Sequence, residues 1–191
     1  DEEETRIKNL FSARQGAKLW KNFSRQWQGT ESQGALEVKK QLGLDDRPLA
    51  LIPANVLGDS LTLDRQTFSK TMTEWLKNTV EFFGENPEFQ LVIRVHPGEM
   101  IGWGPSVYDI LNEAIPQFPE NVLLLPADAK INTYDLVEAA DLGLVFTTTV
   151  GMEMALGGKP VIVTGNTHYR GKGFTIEPES WDDYYAKVLE V

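Results

Sequence analysis

Three consecutive threonines, Thr147, Thr148 and Thr149, follow the apolar run Leu142–Phe146 and precede a short helical pattern that starts at Val150. A strand that feeds a helix through such a turn aims backbone N–H groups outward at the positive end of the peptide dipoles. With hydroxyls alongside, Thr147–Gly151 predicts an anion site, and a nucleotide phosphate is the anion expected there. Glu153, in the first turn of that helix, has two readings. It suits the hydroxyls of a ribose, and it is also a favourable charge near a helix N-terminus. His96-Pro97 comes directly after another apolar run, whose last residues include Arg94. An imidazole at a strand end can meet a phosphate or a leaving group, and it can equally be a loop histidine before a turn-forming proline.

Positioning these groups takes a sheet whose strands all end on one side. Runs rich in Val, Ile and Leu recur at Leu49–Ile52, Phe89–Val95, Val122–Leu125, Leu142–Phe146 and Pro160–Thr164, with helical patterns between them. Asp64 is placed to cap a helix reaching Phe83, with Phe68, Met72, Trp75, Leu76, Thr79 and Phe83 on one face. Further helices are expected over Ala35–Leu42, Thr133–Ala140, Trp181–Leu189 and Pro105–Ile115, the last with proline in its first turn. This alternation predicts an α/β fold, a doubly wound, Rossmann-like parallel sheet covered on both faces. The expected division is an N-terminal helical extension, residues 1–48, and a Rossmann-like domain, residues 49–191. Within the extension, Leu10, Ala17, Trp20, Phe23 and Trp27 recur near helical period, which predicts an amphipathic helix over 5–28. In open parallel sheets ligands bind beyond the carboxyl ends of the strands, at the switch in strand order. The loops to weigh are therefore 55–60, 94–99, 126–132, 147–153 and 165–173.

Composition narrows the chemistry. A formal net charge of -10 over 191 residues argues against non-specific nucleic-acid binding, which needs clustered Lys and Arg. A small anionic ligand is still compatible, because a local site can be positive on an acidic protein. The absence of cysteine excludes disulfides, thiolate metal sites and cysteine nucleophiles. His96 and His168 lie far apart without carboxylate spacing, so no metal site is expected. GxGxxG, GxxxxGK[ST] and GxSxG are all missing, which leaves the dinucleotide fingerprint, the P-loop and the serine elbow unsupported. No stretch is apolar enough to span a bilayer and no signal-peptide pattern opens the chain, so a cytoplasmic protein is expected. The chain opens Asp-Glu-Glu-Glu without an initiator Met, as expected of a piece of something longer.

Taken together, VIRVHPGE (Val92–Glu99), YDLVEAADLGLVFTTTVGMEMALGGKPVIVTGN (Tyr134–Asn166) and HYRGKGFT (His168–Thr175) resemble the capsule polysaccharide synthesis proteins. More broadly, they resemble the nucleotide-binding half of GT-B glycosyltransferases. The resemblance covers about Leu49–Thr175. It implies a donor site for a CMP-, CDP- or UDP-linked sugar, with no cofactor and no metal. His96 and Pro97 match a His-Pro motif of CMP-sugar-using transferases, and Thr147, Thr148 and Thr149 match a serine/threonine phosphate motif. Glu153 matches a ribose-binding acid. The resemblance further implies that Asn55, Asp59 and Ser60 line the donor from the first strand's loop. Tyr169, Arg170 and Lys172 would face the cleft, the two cations steadying sugar or phosphate oxygens. Val150 and Gly151 complete the phosphate turn.

Two departures qualify the match. Threonines stand where serine is common, a mild chemical change. A GT-B enzyme also needs a second Rossmann domain for its acceptor, and residues 1–48 are too short to be one. The expected partners are thus a nucleotide-activated sugar and an acceptor-binding domain outside this chain. A peripheral association with a membrane polysaccharide assembly is a further expectation. On this reading the chain binds donor without transferring it alone, and no catalytic residue is assigned. A sugar-nucleotide enzyme of the UDP-GlcNAc 2-epimerase type and a non-catalytic scaffold module are the alternatives.

Overall fold

The computed structural model describes residues 2–15, 30–59, 62–101 and 105–190. Five parallel strands form one sheet in the order β3-β2-β1-β4-β5: β1 (Leu49–Pro53), β2 (Gln90–Arg94), β3 (Val122–Leu125), β4 (Leu142–Val145) and β5 (Val161–Val163). Successive strand side chains point to opposite faces. Ala50, Ile52, Leu91, Ile93, Leu142 and Leu144 therefore pack on one side, beneath α3 (Met72–Glu85), α4 (Val107–Ala114) and α7 (Trp181–Leu189). Leu49, Leu51, Val92, Val145, Val161 and Val163 face the other side, beneath α2 (Ala35–Leu42), α5 (Thr133–Ala139) and α6 (Val150–Leu156). Burial on both faces explains why the strands read as continuous apolar runs. An α/β, Rossmann-like parallel sheet is what the strand–helix alternation predicts, and the chain adopts it.

Three boundaries differ from expectation. The helix expected from Asp64 begins at Met72, capped by the Thr71 hydroxyl, which accepts from the Glu74 N–H at 3.0 Å. Residues 65–67 are instead tied to the exit of β5. The Asn166 N–H donates to the Arg65 carbonyl at 2.6 Å, and the Thr67 hydroxyl to the Thr164 carbonyl at 2.8 Å. Phe68 still reaches the core, edge-on to Trp181 at 5.0 Å. Pro105 precedes α4, whose cap is Ser106. Finally, residues 30–48 are part of the packed body. Val38 of α2 is 1% exposed in the same cluster as Leu49 and Leu136, so the core extends N-terminal to residue 49. Gly43 ends α2 at φ 67, a left-handed conformation that glycine adopts without a Cβ penalty.

Of the amphipathic helix expected over 5–28, the described part is α1 (Glu2–Gln15). Ala17, Trp20, Phe23 and Trp27 lie outside the described residues. Among the described residues no helix is long and apolar enough to cross a membrane.

Candidate functional site

The strand order sets the carboxyl ends of β2, β1 and β4 side by side, with the reversal of order between β1 and β4. Asn55, two residues past β1, spans that reversal. It is 7% exposed, and its Oδ1 accepts a hydrogen bond from the Thr147 N–H at 3.2 Å. Thr147 is itself buried at the end of β4. The Thr148 carbonyl accepts from the Tyr169 hydroxyl at 2.6 Å, while the Thr148 Oγ1 accepts a long bond from the Val150 N–H at 3.4 Å. Thr149 occupies the N-cap of α6 without a side-chain cap bond. The threonine turn is thus gripped by β1 on one side and by the β5 exit loop on the other.

Close approach makes this possible. A Cβ on Gly151 would lie 2.6 Å from the Tyr169 hydroxyl and 2.8 Å from Val145 Cγ2, so only glycine lets α6 start this tightly against β4. A Cβ on Gly165 would lie 2.7 Å from the Phe146 carbonyl oxygen.

His96 stands at the end of β2 as the cap of a 3-10 turn, Pro97–Met100, with Pro97 at its first position. Its Nδ1 accepts from the Gly98 N–H at 2.9 Å. That bond assigns the neutral tautomer: the proton sits on Nε2, and the imidazole is a donor from its far side. Glu99 ties the same turn to α4, accepting from the Ser106 hydroxyl at 2.8 Å and the Val107 N–H at 3.1 Å. Burial pushes the Glu99 carboxyl above the usual carboxylate range, and these hydrogen bonds offset part of that rise.

Three residues expected to face the ligand point elsewhere. Arg94 is 4% exposed and donates to the carbonyls of Pro126, Ala127 and Ala129, so its cation holds the β3–α5 loop. Burial lowers its pKa, against the pull of Asp128. Arg170 donates to the carbonyls of Val163 at 2.8 Å and Pro178 at 3.3 Å and lies 3.8 Å from Glu177, which turns it into the protein. Tyr169 is 2% exposed, packed against His168 and Phe174, and braces the threonine turn. Burial drives its phenol well above the ordinary range. In each case a backbone carbonyl is the nearer and better-placed partner.

The remaining expected residues are more dispersed. Lys172 is exposed on the loop after β5, and Asp59 is exposed in a turn after β1, its carbonyl accepting from the Thr62 N–H at 2.8 Å. Ser60 lies outside the described residues. Val150 is half-buried at the start of α6. Glu153 is 4% exposed, its carboxylate oxygens buried beside a groove between α5 and α6. Sequence reasoning missed the crossing segment 65–67 and the polar docking of residues 30–33 on α5. Both depend on partners about a hundred positions away, |i−j| of 97 for Thr67 and 103 for Ser32, and no local pattern announces them.

A family model described as capsule polysaccharide biosynthesis protein matches residues 6–186. The chain belongs to that family. Among solved structures it is similar to two KpsC transferases of Thermosulfurimonas dismutans. The beta Kdo 2,4 transferase has 20% identity and a TM-score of 0.52 over 78% of this chain and 48% of that one. The beta Kdo 2,7 transferase has 23% identity and a TM-score of 0.51 over 91% and 51%. A putative UDP-N-acetylglucosamine 2-epimerase from Listeria monocytogenes, with 20% identity, gives a TM-score of 0.56 over 80% of this chain and 38% of that one. At these identities the likeness is one of fold. The chain spans about half the length of the KpsC transferases it matches. A search of curated proteins gives no match.

Proposed function

We propose that this chain is the donor-binding part of a glycosyltransferase of capsule or surface polysaccharide synthesis, taking a CMP-, CDP- or UDP-linked sugar. The observation that carries the reading is the bond from the Thr147 N–H to Asn55 across the reversal in strand order. It presents the threonine turn at the place where open parallel sheets take their ligands. On this reading the nucleotide phosphate lies against Thr147–Gly151, where helix dipole and hydroxyls offset its charge. Glu153 accepts from the ribose, and His96 approaches from β2 with Nε2–H as donor. Such an arrangement stabilises the negative charge that grows on the departing nucleotide phosphate. The acceptor, and the groups that activate it, belong to a part of the protein beyond this chain, and the complex works on the cytoplasmic side of the membrane assembly it serves. The family match and the KpsC resemblance support this reading.

The test is calorimetric titration of CMP, CDP and UDP into the wild-type chain, His96→Ala and Thr148→Val. Wild-type binding weakened about tenfold by each substitution, or ~1.4 kcal/mol, is the expected result. No nucleotide binding at millimolar ligand overturns it. Tighter UDP than CMP binding would move the assignment toward a UDP-sugar transferase or an epimerase-type enzyme.

A further inference from the structure

Past Val145, where β4 ends, its place beside β5 is taken by another part of the chain. The Thr164 N–H still meets β4, donating to the Val145 carbonyl at 2.9 Å. The Asn166 N–H, two residues on and so on the same edge, donates to the Arg65 carbonyl at 2.6 Å. Residues 65–67 therefore stand where β4 would have continued had it not bent into the threonine turn. The Thr67 hydroxyl, donating to the Thr164 carbonyl at 2.8 Å, fixes the other end of this short crossing, and Gln66 pairs with Gly165 in antiparallel sense. The chain enters it through Asp64 at φ 54, the one non-glycine with positive φ among the described residues. Asp tolerates that conformation better than most residues.

Register decides which side chain of the crossing meets the threonine turn. The bond from Asn166 to Arg65 flanks the Gln66–Gly165 pair, so the pair is of the closer, non-hydrogen-bonded kind, with Cα atoms about 4.5 Å apart. Residues opposite each other in such a pair share a face. A Cβ on Gly165 would lie 2.9 Å from Thr147 Cγ2, so that face is the one Thr147 occupies. Gln66, exposed and opposite Gly165, stands over the threonine turn, and Arg65 takes the other face by alternation. Residue type alone favours the cation as an anion's partner; register favours the amide. We propose that Gln66 is a specificity-determining residue of the donor site and that residues 65–67 form its wall on the β5 side. Its carboxamide N–H donates to a phosphate oxygen seated against Thr147, while its carbonyl can accept from a hydroxyl of the same ligand. This rests on the nucleotide-binding reading above. It adds a contact from the connection between β1 and α3 at a position that no motif marks.

Charge placed at position 66 tests the geometry by the sign of its effect. Wild type, Gln66→Glu, Gln66→Lys and Arg65→Gln would each be titrated with CMP and UDP at about 0.05 M and about 0.5 M salt, with thermal unfolding measured in parallel. At low salt Gln66→Glu is expected to weaken both nucleotides about tenfold and Gln66→Lys to tighten them about threefold, and both effects should shrink at high salt. Arg65→Gln, although it removes a cation, should change affinity less than about threefold. Position 66 is exposed, and opposite shifts from two variants cannot both come from a folding defect. If either variant unfolds, the other still reads the sign. Shifts of the same sign, shifts below twofold, or a loss in Arg65→Gln larger than in Gln66→Glu overturn Gln66 as a ligand contact while wild-type binding keeps the donor reading intact. A wild-type chain that binds neither nucleotide at millimolar ligand overturns both.

Discussion

The turn after β2 is held mostly by its own neighbours, with one backbone bond from Leu57 to Glu99, whereas the turn after β4 is held by two distant parts of the chain. In the first, His96 bonds Gly98 and Glu99 bonds Ser106 and Val107, all within eight residues along the chain. In the second, Thr147 is fixed by Asn55 at a separation of 92 and Thr148 by Tyr169 at a separation of 21. A locally closed turn keeps its shape when the rest of the domain shifts. A turn closed from a distance has its shape only when the sheet is assembled, so its geometry and the stability of the fold are coupled.

The largest expected contrast comes from matched glycine substitutions. In Gly165→Ala the new Cβ meets backbone, the Phe146 carbonyl at 2.7 Å, and the threonine turn must move to admit it. A stability loss of about 1–3 kcal/mol is expected in urea unfolding, as for overpacked cores. In Gly98→Ala the new Cβ crowds the His96 ring at 2.8 Å, a side chain able to rotate aside, and meets Val56 at an ordinary 3.8 Å, so the loss should stay below ~1 kcal/mol. Equal losses would break the comparison.

Next is Asn55→Ala. It leaves the buried Thr147 N–H without its acceptor, a desolvation cost of about 1–3 kcal/mol. His96→Ala removes the acceptor of a half-buried N–H that water can serve, and stability should change by about 0.5 kcal/mol or less. Chemical denaturation of both variants would sharpen the contrast, and a larger loss for His96→Ala would reverse it.

Tyr169→Phe should cost about 0.5–1.5 kcal/mol, because it deletes the bond to the Thr148 carbonyl together with the contact to the Thr167 side chain and keeps the ring packing. Amide exchange localises the effect, with protection expected to fall in residues 148–152 and to persist in residues 97–101. Uniform loss across both turns would contradict the model of separate braces.

The smallest effect is a pH dependence at the local turn. Burial holds the Glu99 pKa above its ordinary value of 4.5, so the folded state keeps the proton better than the unfolded chain does. The associated stability is fully present below that ordinary value and is lost as pH rises through the raised one. Glu99→Gln has no such proton to lose. Its stability relative to wild type should therefore improve as pH rises above the ordinary value of 4.5, and a flat difference there would remove Glu99 as the cause.

What was legible in the sequence follows from the same physics. Apolar runs bounded by turn residues located all five strands, and periodicity placed Ala35–Leu42 and Trp181–Leu189 to the residue. The start of α3 was missed because Asp64 and Thr71 are both acceptable caps. The choice between them is made by bonds from residues 65–67 to the β5 exit, which no local window contains. Site residues divide likewise. Residue type and position brought His96, Asn55 and the threonines to neighbouring strand ends. Type alone could not separate a ligand-facing cation from one consumed by carbonyls, and Arg94 and Arg170 are of the second kind.

The three-residue strand β5 would be an open edge but for Ile176. The Val163 N–H donates to the Ile176 carbonyl, and the Ile176 N–H donates to the Val161 carbonyl, each at 2.8 Å. Those groups are a template onto which another chain could add a strand. With them occupied from within, growth of the sheet by strand addition is blocked at that margin. Any partner that docks near β5 must therefore recognise side chains rather than a ladder of exposed peptide groups.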